Sequence, residues 1–275
     1  MPLFRRPDGK LVQHLPPMRR LLPHLMKSRS ESVVYFEQVI DLSGTLGYLA
    51  GRGQAFSLFQ VILCAAVRTL ALRPRLNQFV VGRRLYLRNS IELSFVVKKA
   101  FSDEGGMTMV KVAFESDDTL ERAARRVDQA IGVGRDEKPT SSEKEMSLVT
   151  RLPRFLVRFL VWGQRALDYF NLLPAGLIRP DPLYTSAVLA NVGSLGIDSA
   201  YHHLYEHGTA SLFAVIGRVQ KTPIVNERGE VSVRDAVSIK LSFDERVADG
   251  FYCARSLELF RAFIEDPELL ERPPE

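Results

Sequence analysis

A mixed α and β chain is predicted, on three observations. The first half holds segments rich in β-branched and aromatic residues, cut by Gly, Asn and Ser turns; strongly apolar or amphipathic helical stretches lie between and after them; and the last third returns to strands before a closing helix.

The first strand is expected over 33–41, where V-V-Y-F-E-Q-V-I-D has the composition of a pleated, half-buried surface. Residues 54–72 are apolar almost all round and stop at Pro74, which predicts a core helix. Three further strands are expected over 79–87, 91–101 and 107–114. A helix over 117–131 places Leu120, Ala123, Ala124, Val127 and Ile131 on one face, starts near Asp117 or Asp118, and ends at Gly132. Residues 134–147 form a polar connection containing Pro139, Ser141 and Ser142.

Beyond it, 148–173 predicts a basic amphipathic helix. Arg151, Arg154, Arg158 and Arg165 share one side of the wheel, Leu, Phe, Val and Trp162 cover the rest, and Pro153 marks the true first turn. Such a helix either lies on a membrane surface or is buried against its own domain or a neighbouring subunit, the second being commoner. Strands follow over 184–190, 210–219 and 231–243, the last two joined as a hairpin by the turn Glu227-Arg228-Gly229-Glu230. A helix over 251–264 stops near Asp266-Pro267.

Composition narrows the class. The chain has 275 residues and only two cysteines, Cys64 and Cys253, without CxxC or Cys/His ligand spacing; neither a disulfide framework nor a metal is expected, and a reducing, cytoplasmic setting is. The longest apolar run, 56–67, is interrupted by polar residues and too short to span a bilayer, and Pro7, Asp8 and Gly9 break any signal-like run. The first thirty residues carry Arg5, Arg6, Lys10, Arg19, Arg20, Lys27 and Arg29 against Asp8. That patch reads as a solvated arm, with no nucleic-acid partner assigned; anionic lipid and cofactor phosphates are the alternatives.

The residues Leu241-Ser242-Phe243-Asp244-Glu245-Arg246-Val247-Ala248-Asp249-Gly250, followed by Ala254-Arg255 on a helix, resemble the end of the catalytic domain of the dihydrolipoyl acyltransferases of 2-oxo acid dehydrogenase complexes. There a strand leads into D-H-R-x-x-D-G, and chloramphenicol acetyltransferases are similar; in this chain Glu245 stands at the His. Other motifs agree in order: Met18-Arg19-Arg20 with Met26 and Ser28, Arg73-Pro74-Arg75-Leu76-Asn77, Asn191-Val192-Gly193-Ser194-Leu195-Gly196 like S-N-L-G-x-x-G, and Ala214-Val215-Ile216-Gly217-Arg218.

This resemblance implies a chloramphenicol acetyltransferase-like two-layer sandwich, a mixed sheet flanked by helices, assembled as a homotrimer whose active site is a channel between neighbouring subunits. It divides the chain into a basic arm over 1–17, a core over 18–270 with an insert at about 135–182, and a tail over 271–275. Leu269 and Leu270 resemble the apolar residues by which family trimers join into cubic cages. Coenzyme A or an acyl-CoA is the implied substrate, and a dehydrogenase complex or an acyl carrier the implied partner. No lipoyl-bearing lysine precedes residue 18, so the acyl donor is expected to be a separate molecule.

In the family the motif His is a general base for the attacking thiol or hydroxyl. Asp249 is expected to pair with Arg19 or Arg20, and Gly250 to permit a tight strand-to-helix turn. The turn before S-N-L-G supplies an oxyanion-binding hydroxyl; alignment on Asn191 puts Ala190 there, which offers no donor. Losing a general base is worth about a hundredfold to ten-thousandfold, and losing one oxyanion donor about a hundredfold to a thousandfold. The reading is therefore a degenerate or non-classical acyltransferase serving as a scaffold or acyl-thioester-binding protein. Its alternatives are an active enzyme with Glu245 or one of His202, His203 and His207 as base, and a membrane-surface interaction protein. Glu245 itself is otherwise expected in a salt bridge with Arg246 or an N-terminal Arg, and the histidines, the last two at helical spacing, as a surface cluster.

Overall fold

A computed structural model describes residues 6–98, 107–135, 149–225 and 228–274. The main sheet has six strands in the order β2-β9-β8-β7-β5-β6, where β2 is Val33–Asp41, β5 Ile91–Lys98, β6 Met107–Phe114, β7 Ala187–Asn191, β8 Leu212–Val225 and β9 Val231–Asp244. It is mixed: β7 runs parallel to both β5 and β8, and the other pairs are antiparallel. A second sheet of three strands, β1-β4-β3, is built from Gly9–Leu11, Arg84–Arg88 and Gln78–Val81.

The segment expected as one strand over 79–87 is thus two. Gly82 and Arg83 both take positive φ, +56° and +61°, the pair of left-handed residues that closes a two-residue hairpin. The N-terminal strand β1 completes this small sheet. Arg6, read as part of a solvated arm, is buried: it bonds Asp8 at 2.8 Å and 3.1 Å and Asp168 at 2.8 Å.

Helices α1 (Pro17–Leu25), α2 (Ser43–Gly51), α3 (Leu58–Leu72), α4 (Leu120–Arg135), α5 (Arg154–Tyr169), α6 (Ala175–Ile178) and α7 (Gly250–Glu265) complete the described chain with short 3₁₀ turns. The core lies between one face of the main sheet and α3, α4 and α7; Val61, Ile62 and Leu63 meet Leu93, Leu189, Ile216, Ile239, Phe260 and Ile264 there. Helix α3 starts later than expected because Ser57 and Gln60 form a capping box: the Gln60 amide donates to Ser57 Oγ at 3.3 Å and the Ser57 amide to Gln60 Oε1 at 2.7 Å. Helix α4 does not end at Gly132 but continues through it to Arg135.

On the other face of the sheet the irregular segment 196–211 lays Leu204, Tyr205 and His202 over Val188, Phe213 and Val215. That cover reaches β2 only in part: Tyr201 meets Tyr35 edge-on at 5.6 Å, while Tyr35 and Val39 stay largely exposed. Beyond a bulge between Ile216 and Val219, β8 and β9 continue as a two-stranded arm with exposed Val225, Val231 and Val233. The hairpin prediction holds, although part of its turn lies outside the described residues. So do residues 99–101 of the strand expected over 91–101 and most of the 134–147 connection.

Candidate functional site

The strand–turn–helix after β9 is built from a buried ion pair. Asp244, fully buried, accepts from Arg246 Nε at 2.8 Å and Nη2 at 2.6 Å, and Arg246 Nη1 donates to the Met26 carbonyl at 3.0 Å. Both planar groups meet in a two-point contact, the geometry in which a guanidinium best replaces water around a carboxylate. Arg246 is therefore committed to Asp244 and not to Glu245, which corrects the expected Glu245–Arg246 bridge.

Glu245 is half-buried, its amide donating to the Ser32 carbonyl at 3.0 Å. No hydrogen bond or ion pair reaches its carboxylate among the described residues. The turn is gripped from outside by Arg19, which donates to the Val247 carbonyl and, at 3.0 Å, to Gln78 Oε1. Burial, with Arg75 beside it, holds the Arg19 guanidinium below its ordinary value. Arg20 is exposed.

Asp249 is not the partner of either arginine. Its carboxylate caps α7, accepting from the Tyr252 amide at 2.8 Å, and it lies exposed 3.8 Å from Arg75. Gly250 opens α7 without a left-handed φ, and a side chain there meets nothing within 4 Å, so the turn does not depend on it. What docks α7 is the Arg73-Pro74-Arg75 turn: Arg73 stacks over the Tyr252 ring at 3.8 Å and donates to Ser256 Oγ at 3.1 Å.

Ala190 and Asn191 end β7. Asn191 Oδ1 accepts from the Ser194 amide at 3.3 Å, and Ser194 Oγ donates back to the Asn191 carbonyl at 2.8 Å, so that hydroxyl is spent on its own turn. Gly193 is required by contact: a Cβ there runs into the Gly217 carbonyl at the β8 bulge. Ladder partners fix the distance between the two stations. Ala190 lies opposite Val215, and Val215 opposite Lys240, five residues before Glu245. Two strand spacings across and five residues along put Ala190 roughly 20 Å from Glu245 within one chain.

The three histidines occupy two places, not one helix face; 196–211 is not helical. His202 stacks on Phe213 at 4.0 Å and on His203 at 4.7 Å, and its carbonyl accepts from Ser242 Oγ on β9. His202 Nδ1 meets the His203 carbonyl at 2.7 Å; a carbonyl only accepts, so Nδ1 is the donor of that bond and Nε2 is left outside it. His207 instead pairs with Asp181 at 2.6 Å, in a cavity of about 150 Å³ that Arg29, Asp168 and Tyr184 also line. No group of three or more metal-ligating side chains occurs among the described residues. Sequence reasoning missed the Asp244–Arg246 pair and the Asp249 cap, although a D-x-R spacing at a strand end and an Asp before G-F-Y are both readable signals.

Neither cysteine is a nucleophile. Cys64 and Cys253 are buried, Cys253 against an apolar cavity of about 70 Å³ between α3, α7 and the sheet, and burial pushes both thiols up to about 12. With the thiolate suppressed through neutral pH, the native protein is expected to release no thionitrobenzoate from Ellman's reagent over minutes at pH 8, and two equivalents once guanidinium unfolds it. Reaction of either thiol in the folded state contradicts that burial.

Residues 181–271 match the sequence model of the 2-oxoacid dehydrogenases acyltransferase (catalytic domain) family. The described fold is shared with solved structures across nearly the whole chain. A probable dihydrolipoamide acetyltransferase from Listeria monocytogenes superposes with a TM-score of 0.60 at 15% identity, covering 94% of this chain and 95% of that one. The cubic core of a pyruvate dehydrogenase multienzyme complex gives 0.58 at 12% identity, covering 95% and 94%. A chloramphenicol acetyltransferase gives 0.56 at 14%, covering 95% and 99%. The two-layer, mixed-sheet acyltransferase fold is therefore that of this chain.

Proposed function

We propose that this chain, which carries the 2-oxoacid dehydrogenase acyltransferase catalytic-domain match on a complete chloramphenicol acetyltransferase-like fold, is a degenerate acyltransferase core: a homotrimer that binds coenzyme A thioesters and acts as a scaffold. The observation that carries this reading is the geometry of the two stations. In one chain Glu245 and Ala190 are roughly 20 Å apart, so a site using both forms only between protomers. At that junction Glu245 offers a carboxylate, which repels a developing oxyanion, and Ala190 offers no hydroxyl to bind it.

The cage is not part of the proposal in its usual form. Of the two C-terminal leucines expected to join trimers, Leu270 is fully buried in its own chain and Leu269 alone is exposed. Glu271 is held by Tyr48 Oη at 2.8 Å and by Arg52, and Arg68 donates to the Arg272 carbonyl at 2.6 Å, which fastens the tail to α2 and α3.

Calorimetric titration of acetyl-CoA into the protein, with conversion of acetyl-CoA to free coenzyme A and S-acetyldihydrolipoamide followed by chromatography in the presence of dihydrolipoamide, tests the reading. Saturable binding without sustained acetyl transfer, by a particle of three chains in light scattering, is the expected result. A monomer, or no binding, removes the proposal. Steady turnover favours the second reading, in which a histidine has taken over as base; the free Nε2 of His202, tied by its backbone to the strand that leads into Glu245, is the observation in its favour.

A further inference from the structure

Helix α5 is the least explained element of the fold. None of its sixteen residues is buried, yet it is not polar: Phe155, Phe159 and Trp162 are 69%, 63% and 65% exposed, and Leu156, Leu160 and Leu167 are exposed beside them. Its expected burial against its own domain does not occur. The contacts that hold it come from one sector at its C-terminal end. Asp168 accepts from Arg6 at 2.8 Å, the Tyr169 carbonyl lies against Gly82, and just beyond the helix Asn171 Nδ2 donates to Tyr86 Oη at 2.9 Å.

At about 100° per residue the outward side has an order. Arg154, Arg158 and Arg165 fall within a sector of roughly 40°. Trp162, Phe155 and Phe159 come next around the wheel, and the three leucines follow. Phe170, Leu172 and Leu177, all exposed, continue the apolar strip past the helix end. The only carboxylate on the helix, Asp168, is already paired inward, so the outer surface is cationic and apolar with no acidic residue.

We propose that α5 is a monotopic docking helix for an anionic phospholipid surface, lying in the interface plane with its aromatic and leucine sectors among the acyl chains and its arginines at the phosphates. Three features select that occupant. Arginines bordering tryptophan and phenylalanine match the layering of headgroup and hydrocarbon across an interface. A sixteen-residue helix is about 24 Å long, too short to span, and no helix among the described residues is long and apolar enough to cross a membrane. The arginine sector has no carboxylate of its own helix to neutralise it, Asp168 being paired inward, so whatever meets it must supply negative charge beside apolar matter, as phosphate headgroups over acyl chains do. Docking through this helix is independent of whether acyl-CoA binds.

Trp162 is the single tryptophan of the chain and reports directly on the face in question. With vesicles of phosphatidylcholine and phosphatidylglycerol, its emission is expected to shift to the blue, to be quenched by bromine on the lipid tails, and to revert at high salt; phosphatidylcholine alone gives little of this. Each of Arg154→Gln and Arg158→Gln weakens binding by about fivefold, and Phe159→Glu, which leaves the folded circular dichroism unchanged at this exposed position, abolishes it. Absence of co-sedimentation and of any shift with the anionic vesicles overturns the proposal. So does a blue shift without lipid that tracks protein concentration, which assigns the face to another copy of the chain.

Discussion

A double substitution, Glu245→His with Ala190→Ser, is expected to raise acetyl transfer from acetyl-CoA to dihydrolipoamide by on the order of ten-thousandfold over the parent chain. The figure follows from the two missing roles. A positioned imidazole contributes about a hundredfold to ten-thousandfold as base, and one oxyanion donor about a hundredfold to a thousandfold. Groups that serve one transition state are not additive, so either single substitution should recover far less than its nominal share. The scaffold for the imidazole is already rigid: residue 245 hangs between an amide bonded to Ser32 and a neighbour locked to Asp244. Mixed oligomers give the sharper readout. If the stations meet only between protomers, an equal mixture of the two single variants, unfolded and refolded together, forms the complete site at about a quarter of interfaces and gains activity that neither has alone. Activity of the double variant that survives dissociation to monomers, or a mixture no better than its parts, would show that residues 190 and 245 do not share a site.

Much of the fold was legible because particular segments satisfy pattern and punctuation together. Strand β2 and helix α7 fall almost where the residues put them, since β-branched and aromatic composition defines the one and Asp266-Pro267 stops the other. Helix α2 was not legible: S-G-T-L-G-Y-L-A-G has three glycines and no apolar stripe, and what holds it is tertiary. The Thr45 hydroxyl bonds the Ile264 carbonyl, and Gly44 lets the Glu265 carbonyl approach where a Cβ would collide. The β3–β4 hairpin was hidden because Arg83, not Asn or Gly, takes the second left-handed position. At the candidate site, residue types and spacing picked out the strand–turn–helix around Glu245 but not who pairs with whom. Partner choice depends on side-chain direction at a strand end. Arg246 folds back two residues onto Asp244, and Asp249 turns into its own helix, both decided by burial that a linear string does not encode.

Asp244→Ala is expected to destabilise the protein by about 3–5 kcal/mol, because it leaves the Arg246 guanidinium buried with its main counter-charge removed. Arg246 is 3% exposed and retains only the Met26 carbonyl, so water cannot replace the lost carboxylate without opening the turn. At about 2 °C per kcal/mol for a chain of this size, the thermal midpoint should fall by roughly 6–10 °C. Asp244→Asn keeps the shape and one acceptor and should lose less. Removing both charges, with Asp244→Leu and Arg246→Met, should recover most of the loss, since a buried pair gives little net stability and its desolvation cost disappears with it. That ordering separates two explanations. If the pair mattered only as packing, the double variant would be the worst of the three; if it mattered as charge, the single alanine variant is the worst. The second is expected here, and it has a functional corollary. The same guanidinium joins the end of α1 to the residue after Glu245, so Asp244→Ala should also loosen the α1 segment, seen as faster amide exchange over residues 20–26. A fall in the midpoint of less than 2 °C with unchanged exchange there would mean that the turn presenting residue 245 is held by Arg19 and Ser32 alone.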